Sequence, residues 1–480
     1  MSRNRTHLSP LPLLAFALTL GCPPGQTGTG TATDPSTSSG SGPTTATEPT
    51  ATTETTGTTE TGTNTTNPTD TTNPTDTTDT TATTATDTND TTDPTDTNPT
   101  DTNNTDNPSN NVDILFVIDN SGSMAKPQDR LTSAINGLID PLIGAGIDLR
   151  IGITTTDVGN PRCSKAVTRP ASGRLLLSSC IDRIDDGDFE FLGTDPPLNV
   201  SSICTDKCTY TNSDLEILET ATALDPDSKP RPWLEFHDGT SNISTGTVEE
   251  LLRCYLPQGI YGCGFESPLE AMYRSLIRMG IPEEPSYDFI RQDATLAVII
   301  ITDETDCSAL DEEIFTANKV FWNDPNDPTP NSAVCWRAGV TCTGNPQNYD
   351  DCIADNHDAN GVAGASDEAA VLHPLSRYSG ILEDLLETKT KGSVQLHVIA
   401  GVPPGYSEGA EPMYSATMDP PNFFTNFGID PGCTDAEIVA VPSIREREVA
   451  ESIAGGALPV YSICTSDLSL GSIAQAILGP

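Results

Sequence analysis

From residue 111 onward, two hydrophobic patterns alternate along the chain. Short runs rich in apolar and β-branched residues occupy 112–118 (V-D-I-L-F-V-I), 148–155 (D-L-R-I-G-I-T-T), 294–302 (A-T-L-A-V-I-I-I-T), 393–400 and 460–464. Runs of this length, rich in β-branched residues, predict strands buried on both faces. Between them, apolar residues recur at helical spacing over 128–143, 248–256, 268–279, 375–386, 446–453 and 473–478. In the 268–279 helix, Leu269, Met272, Tyr273, Leu276 and Ile277 fall on one face. Strands alternating with helices predict an α/β fold with a mostly parallel central sheet covered on both faces. In such sheets ligands gather beyond the carboxyl ends of the strands.

Before residue 111 neither pattern exists. Residues 23–110 are almost entirely Thr, Asp, Asn, Pro, Gly, Ser and Ala, with N-P-T-D-T-T at Asn67 and again at Asn73, and contain no Lys, Arg or aromatic residue. Nothing there offsets the entropy of ordering, so the stretch reads as a disordered, self-repelling stalk. Its reach is on the order of 270 Å at full polyproline-like extension and about 50 Å as a relaxed coil. Ahead of it, Arg3 and Arg5 precede the short apolar run L-P-L-L-A-F-A-L-T-L, which ends at Gly21-Cys22. Residues 1–22 therefore read as an export signal. The ending T-L-G-C resembles the lipobox of bacterial lipoproteins, departing from it at Thr19, and the resemblance implies lipidation of Cys22 and anchorage in a bacterial envelope membrane, outer membrane or cell surface. N-x-S/T sequons stand at Asn64, Asn89, Asn103, Asn199 and Asn242.

Charge and cysteines narrow the classes. With 24 basic against 68 acidic residues the formal charge is -44, and no basic patch with interleaved aromatics occurs, which excludes nucleic acid as a partner. Setting Cys22 aside from the 13 cysteines leaves twelve, Cys163 through Cys464, an even number that in an exported chain predicts six disulfides.

Three polar clusters sit at or near strand ends: Asp119-x-Ser121-x-Ser123 after the first strand, C-G-F-E-S-P-L from Cys263, and T-D-E-T-D-C from Thr302. Serine hydroxyls combined with carboxylates form part of an oxygen shell suited to Mg²⁺ or Mn²⁺. D-I-L-F-V-I-D-N-S-G-S-M, followed much later by A-V-I-I-I-T-D-E, resembles a von Willebrand factor A-type (VWA) domain with its metal-ion-dependent adhesion site (MIDAS). That resemblance implies a Rossmann-like three-layer fold from residue 111 to 480. It also implies a metal site in which Asp119, Ser121 and Ser123 match the first family loop and Asp303 the third. In the family the cation bridges to an acidic group on a partner protein. Where the family has a metal-binding Thr, this chain offers Glu266 or Ser267 ahead of Pro268. Two readings of Glu266 stand: a metal ligand whose extra charge disfavours an acidic partner, or a cap for the helix beginning at Pro268.

Two cysteine-bearing insertions, 157–246 and 305–373, enlarge this domain and lack the periodicity of a self-sufficient core, so disulfides are expected to order them around the metal edge. Within the second, Asn356, Asp358, Asn360 and Asp367 fall at the ligand spacings of a weak Ca²⁺ loop with Gly361 at its turn, although the first Asp and last Glu of such loops are absent. A solvated acidic turn is the alternative. No G-x-S-x-G, H-E-x-x-H or phosphate-cradling glycine loop supports catalysis. The sequence thus points to a lipid-anchored module for metal-dependent adhesion or protein binding. The alternatives are a structural envelope protein with a vestigial site, and a metal-assisted hydrolase.

Overall fold

The computed structural model describes residues 109–192, 196–418 and 420–479. The signal segment, Cys22, the stalk and its sequons lie outside them. In chain order the principal elements are β1 (Asn111–Ile118), α1 (Ala125–Ala134), α2 (Asn136–Gly144), β2 (Asp148–Thr155), β3 (Leu234–His237), β4 (Thr240–Ser241), α3 (Val248–Tyr255), α4 (Pro268–Met279), β5 (Ala294–Ile301), α5 (Ser376–Thr388), β6 (Val394–Ala400), α6 (Ile444–Ile453), β7 (Val460–Ser462) and α7 (Leu470–Leu478).

One seven-stranded sheet runs in the order β7-β6-β5-β1-β2-β3-β4. The strands from β7 to β2 are parallel, and β3 and β4 extend the far edge antiparallel. Alternate residues of β1 divide the core. Val112, Ile114, Phe116 and Ile118 pack with α1, α2, α3 and α7 on one face, while Leu115 and Val117 pack with α4, α5 and α6 on the other. Every residue of β5 is buried, as its unbroken apolar run requires of a strand between two helical layers. The chain order reverses between β1 and β5, so the carboxyl ends of these two strands flank the crevice where such sheets place ligands.

Several sequence expectations need correction. The helix read at 128–143 is two helices meeting at Ile135, and Pro141 in the second has no N–H to give the Gly137 carbonyl. On α4, Ile277 is 40% exposed and Tyr273 only half-buried, so the true inner face is Leu269, Met272, Leu276 and Met279. The first insertion is not separate from the sheet: its residues 234–237 form β3, with Leu149 opposite Phe236 and Ile151 opposite Leu234. A four-residue strand is too short to announce itself by pattern. The second insertion stays off the sheet. It builds a small core of Ile314, Phe315, Phe321, Trp322 and Val334 beside the Cys307–Cys335 bridge. Residues 401–443 form a third excursion that the pattern did not reveal, with a short helix at Pro421–Phe427 and a two-stranded ribbon.

The twelve cysteines pair as Cys163–Cys263, Cys180–Cys204, Cys208–Cys254, Cys307–Cys335, Cys342–Cys352 and Cys433–Cys464. Asn242 is 5% exposed, and its side chain accepts from the Glu235 amide and donates to the Trp233 carbonyl, so its sequon is closed to glycosylation. Asn199 is exposed.

Candidate metal centre

Beyond the carboxyl ends of β1, β2 and β5, the chain turns and leaves polar residues at one edge. The loops are laced together by backbone bonds. Asp119 N–H donates to the Ile301 carbonyl at 2.9 Å, Gly262 to Asn120 at 2.7 Å, Ser267 to Thr156 at 3.1 Å and Cys307 to Glu266 at 2.7 Å. Gln128, buried on α1, donates to the carbonyls of Asp119 (3.0 Å) and Gly259 (2.7 Å) and accepts from the Gln258 amide (2.8 Å). A side chain at Gly262 would run into Asn120, whose Oδ1 lies 2.4 Å from the position of the missing Cβ. The Cys163–Cys263 bridge ties this loop to the first insertion.

Asp119 is fully buried. Its Oδ1 accepts the Ser121 amide at 2.8 Å and its Oδ2 accepts the Thr302 hydroxyl at 2.7 Å. The Ser121 and Ser123 hydroxyl oxygens lie 3.1 Å apart, and Ser123 donates to Asp303 Oδ1 at 2.9 Å. Asp119, Ser121, Ser123 and Asp303 are thereby brought into one run of oxygens. These separations suit a shared small dication, because adjacent ligands of an octahedron with bonds near 2.1 Å stand about 3 Å apart. Ser121 is wholly buried and Asp303 only 4% exposed, so Ser123, half-buried, is the one member of this run facing outward.

Glu266 comes to the same edge, fully buried, where its Oε2 accepts the Thr156 hydroxyl. It does not cap α4. The first amides of that helix are taken by side chains of the third loop, Leu269 N–H by Asp306 Oδ1 at 3.3 Å and Glu270 N–H by the Ser308 hydroxyl at 3.0 Å. Ser267 stands as the residue before α4, 3% exposed, and forms no side-chain cap.

Two acids to which the sequence reading gave no role join them. Asp157, 1% exposed, follows β2, and Glu304, also 1% exposed, follows Asp303. The available signal was positional: each acid lies within three residues of a buried strand's end. Thr302 and Glu304 stood inside the polar cluster T-D-E-T-D-C, in which only Asp303 was assigned a role.

The electrostatics follow from burial. Burial pushes Asp303 well above the usual carboxylate range, and the Asp119 charge pushes it further. Glu304 is raised in the same way by burial and then by Asp119 and Asp303, and Glu266 by burial and then by Asp119 and Asp157. Asp119 is raised by burial in spite of the opposing hydrogen bonds from Thr302 and Ser121. Crowded acids at one edge are stable only if protonated or neutralised by a cation. The oxygen-only donor set fits Mg²⁺ or Mn²⁺ and offers nothing to soft metals.

Other candidates fare differently. In the loop 356–367, Asp358 Oδ1 accepts the amides of Asn360 and Val362, and Asn356 donates to Asp367, which also accepts from Ser376. These side chains are arranged as a hydrogen-bonded acidic turn. Among the described residues, the three His, Cys, Asp or Glu side chains whose ligand atoms all lie within 4.8 Å of one another are Asp148, His237 and Asp238, at the opposite edge of the sheet. They are partly or fully exposed, and both ring nitrogens of His237 already face the two carboxylates.

No family model matches the chain, and no curated protein is similar enough to count as a match. Among solved structures, the pilus adhesin SpaC from Lactobacillus rhamnosus GG aligns with 76% of this chain at 7% identity and a TM-score of 0.28. The chain spans about a third of that adhesin, 30% of its length. A likeness this distant carries no argument. Among the described residues no helix is long and apolar enough to cross a membrane.

Proposed function

We propose that the chain is a VWA-type binding module, exported and lipid-anchored to a bacterial envelope through Cys22, whose sheet edge holds Mg²⁺ or Mn²⁺ and meets a partner through it. The observation that carries this reading is the run of oxygens Asp119–Ser121–Ser123–Asp303 at the point where the strand order reverses. A dication bound there would offer a positive centre and an exchangeable coordination position to a partner's oxygen. Ser121 and Ser123 supply neutral donors, Asp119 is fixed by Thr302 and the Ser121 amide, and Asp303 is fixed by Ser123. Approach is from the side of Ser123, the outward member.

Binding is favoured over catalysis because the Ser121 hydroxyl lies against the Ser123 hydroxyl, within the run of oxygens that would hold the cation. Glu266 and Glu304 stand buried at the same edge and, where a bound cation holds them ionised, would favour a partner that brings a neutral oxygen over one that brings a carboxylate. The burial of the ligands supports a second reading, in which the cation locks the loops together without meeting a partner.

Titration calorimetry of the full chain with Mg²⁺ and Mn²⁺ tests the site. We expect one saturable site that Asp119→Ala and Ser121→Ala abolish. Unchanged binding in both variants would refute it. Envelope proteins captured with Mg²⁺ and released by chelator would support the partner role, and their absence would favour the locking role.

A further inference from the structure

The β7 edge of the sheet is only half closed. β7 has three residues and pairs with Val398, Ile399 and Ala400 of β6, while Val394 to His397 lie beside no strand on that side. The ladder shows which main-chain groups this leaves open. Leu296 N–H donates to the Ser393 carbonyl at 2.8 Å and Thr302 N–H to the Ile399 carbonyl at 3.1 Å, so the odd-numbered residues of β6 turn their N–H and C=O groups toward β5. The even-numbered residues turn theirs toward β7. Val398 N–H reaches the Pro459 carbonyl at 3.0 Å, and the Ala400 carbonyl receives the Ile463 amide at 2.9 Å. One step further down, the residue in register to donate to the Leu396 carbonyl is Pro459, which has no N–H. Among the described residues, the N–H and C=O groups of Val394 and Leu396 meet no partner on that edge, although the two residues are only 8% and 2% exposed. Buried main-chain groups are ordinarily paired with protein, water or a ligand.

Val394 to His397 line a cleft of about 520 Å³ in the place that a longer β7 would occupy. Its two walls belong to the two helical layers: Ala450, Ile453 and Ala454 at the end of α6 on one side, Ile477 and Leu478 at the end of α7 on the other. None of the residues lining it is charged, in a chain whose formal charge is -44. Gln395 donates to the Ser393 hydroxyl at 3.1 Å and to the Ala476 carbonyl of α7 at 3.3 Å, and so presents its Oε1 to His397 Nε2 at 2.9 Å. His397 Nδ1 is then an acceptor without a partner, on a ring that burial keeps neutral by lowering its pKa to about 4.

We infer that this cleft is the docking site for an extended, uncharged segment of a partner polypeptide, which adds to β6 as a strand beside Val394 and Leu396. The open groups select that occupant. Two N–H and C=O pairs two residues apart repeat at about 6.6 Å, and a second strand carries the matching pairs at the same repeat. Main-chain bonds then supply affinity, as in other cases of strand addition. An added strand points successive side chains to opposite faces, toward the α6 wall and the α7 wall in turn, and four of its residues span about 13 Å. A charged side chain would be buried there without a counter-charge. His397 Nδ1 suits a hydroxyl on the α7 side. The cleft lies along the amino-terminal half of β6, away from the carboxyl ends of β1, β2 and β5, so this contact is independent of any cation at the metal edge.

Hydrogen exchange of the full-length chain in detergent, with millimolar acetyl-Thr-Val-Thr-Val-Thr-amide as the probe, tests the site. In the free chain the amides of Gln395 and His397, bonded to β5, should exchange slowly and those of Val394 and Leu396 fast. The peptide should slow the fast pair at least about tenfold. Methylating the nitrogens of either the two Val or the three Thr removes the donors on one edge of the probe; one of these peptides should bind about 10- to 30-fold more weakly and the other like the parent peptide. Equal affinity for all three would show that no ladder forms. Ala476→Trp and Ala457→Trp, at exposed positions of the rim, should each abolish the protection while leaving the melting temperature of the chain unchanged. Protection that survives both places the peptide elsewhere and overturns the proposal. No protection in the parent chain means that Pro459 merely blunts the edge, and overturns it too. If Val394 and Leu396 are already slow in the free chain and become fast when residues 23–100 are deleted, the chain's own stalk is the occupant and the partner is refuted.

Discussion

Thr302→Val isolates how the fold prepares its metal edge. The Thr302 hydroxyl is fully buried, donates to Asp119 Oδ2 at 2.7 Å and accepts the Glu304 amide at 3.2 Å. Valine has nearly the same shape, so packing is preserved while both bonds are lost. A hydrogen bond to a charged partner contributes ~1.5–3 kcal/mol, and leaving the Glu304 amide unmet adds about 1 kcal/mol, giving roughly 2.5–4 kcal/mol in all. With unfolding entropy near 2.1 cal/mol/K per residue over about 370 residues, that is a fall of roughly 3–5 °C in melting temperature. The deficit has a defined pH sign. The bond favours ionised Asp119, whose folded pKa burial has already raised, so its contribution is present above that pKa and lost as pH falls through it. The variant should therefore differ most from the parent at pH 8 and converge with it on acidification. Because Thr302 orients Asp119 without belonging to the oxygen run, Mg²⁺ affinity should fall about 10- to 100-fold. Scanning calorimetry in EDTA across pH, with Mg²⁺ titrations, measures both effects. A melting temperature within 1 °C of the parent at pH 8, together with affinity within about twofold, would show that Thr302 does not position Asp119.

Three further outcomes are expected. Removing Cys163–Cys263, which closes a loop of 100 residues, should destabilise by about 4.7 kcal/mol on loop entropy, against about 2.7 kcal/mol for Cys342–Cys352, which closes 10; urea melts of the two serine pairs test the order, and equal losses would contradict it. His397 is buried between β5 and β7, and its pKa is lowered to about 4 by burial alone, so the unfolded chain binds the extra proton between about pH 6.5 and 4 and stability falls on acidification through that window, by up to about 3 kcal/mol. His397→Phe should lose less stability between pH 7.5 and pH 4.5 than the parent does, as read by denaturant melts, and parallel losses would remove His397 as the cause. For the anchor, Cys22→Ala should move the protein from the membrane fraction to the soluble one, and unchanged partition would exclude lipidation there.

What the sequence disclosed follows from where the information lies. β1 and β5 were legible nearly to the residue because their apolar runs are almost unbroken, and β2 because Leu149, Ile151 and Ile153 recur at strand spacing. Asp119, Ser121, Ser123 and Asp303 were legible because they follow such strands directly. Parity gave the number of disulfides, but their pairing depends on loops that meet only in space, and Cys204 and Cys208, four residues apart, join different partners. The same limit left Glu266 undecided between ligand and cap. The groups that cap α4, Asp306 and Ser308, lie 37 and 38 residues further along than the amides they receive, so nothing beside Pro268 could reveal that the cap was already supplied. Once that end of the helix is satisfied from elsewhere, Glu266 is held by the Thr156 hydroxyl with its other oxygen lacking a partner. Asp157 and Glu304 became site residues by the same route. On sequence alone each is an acid in a turn, which is ordinarily solvated; in the fold both are buried, beside a first insertion tied to the loop before α4 by Cys163–Cys263 and a second insertion closed on itself by Cys307–Cys335.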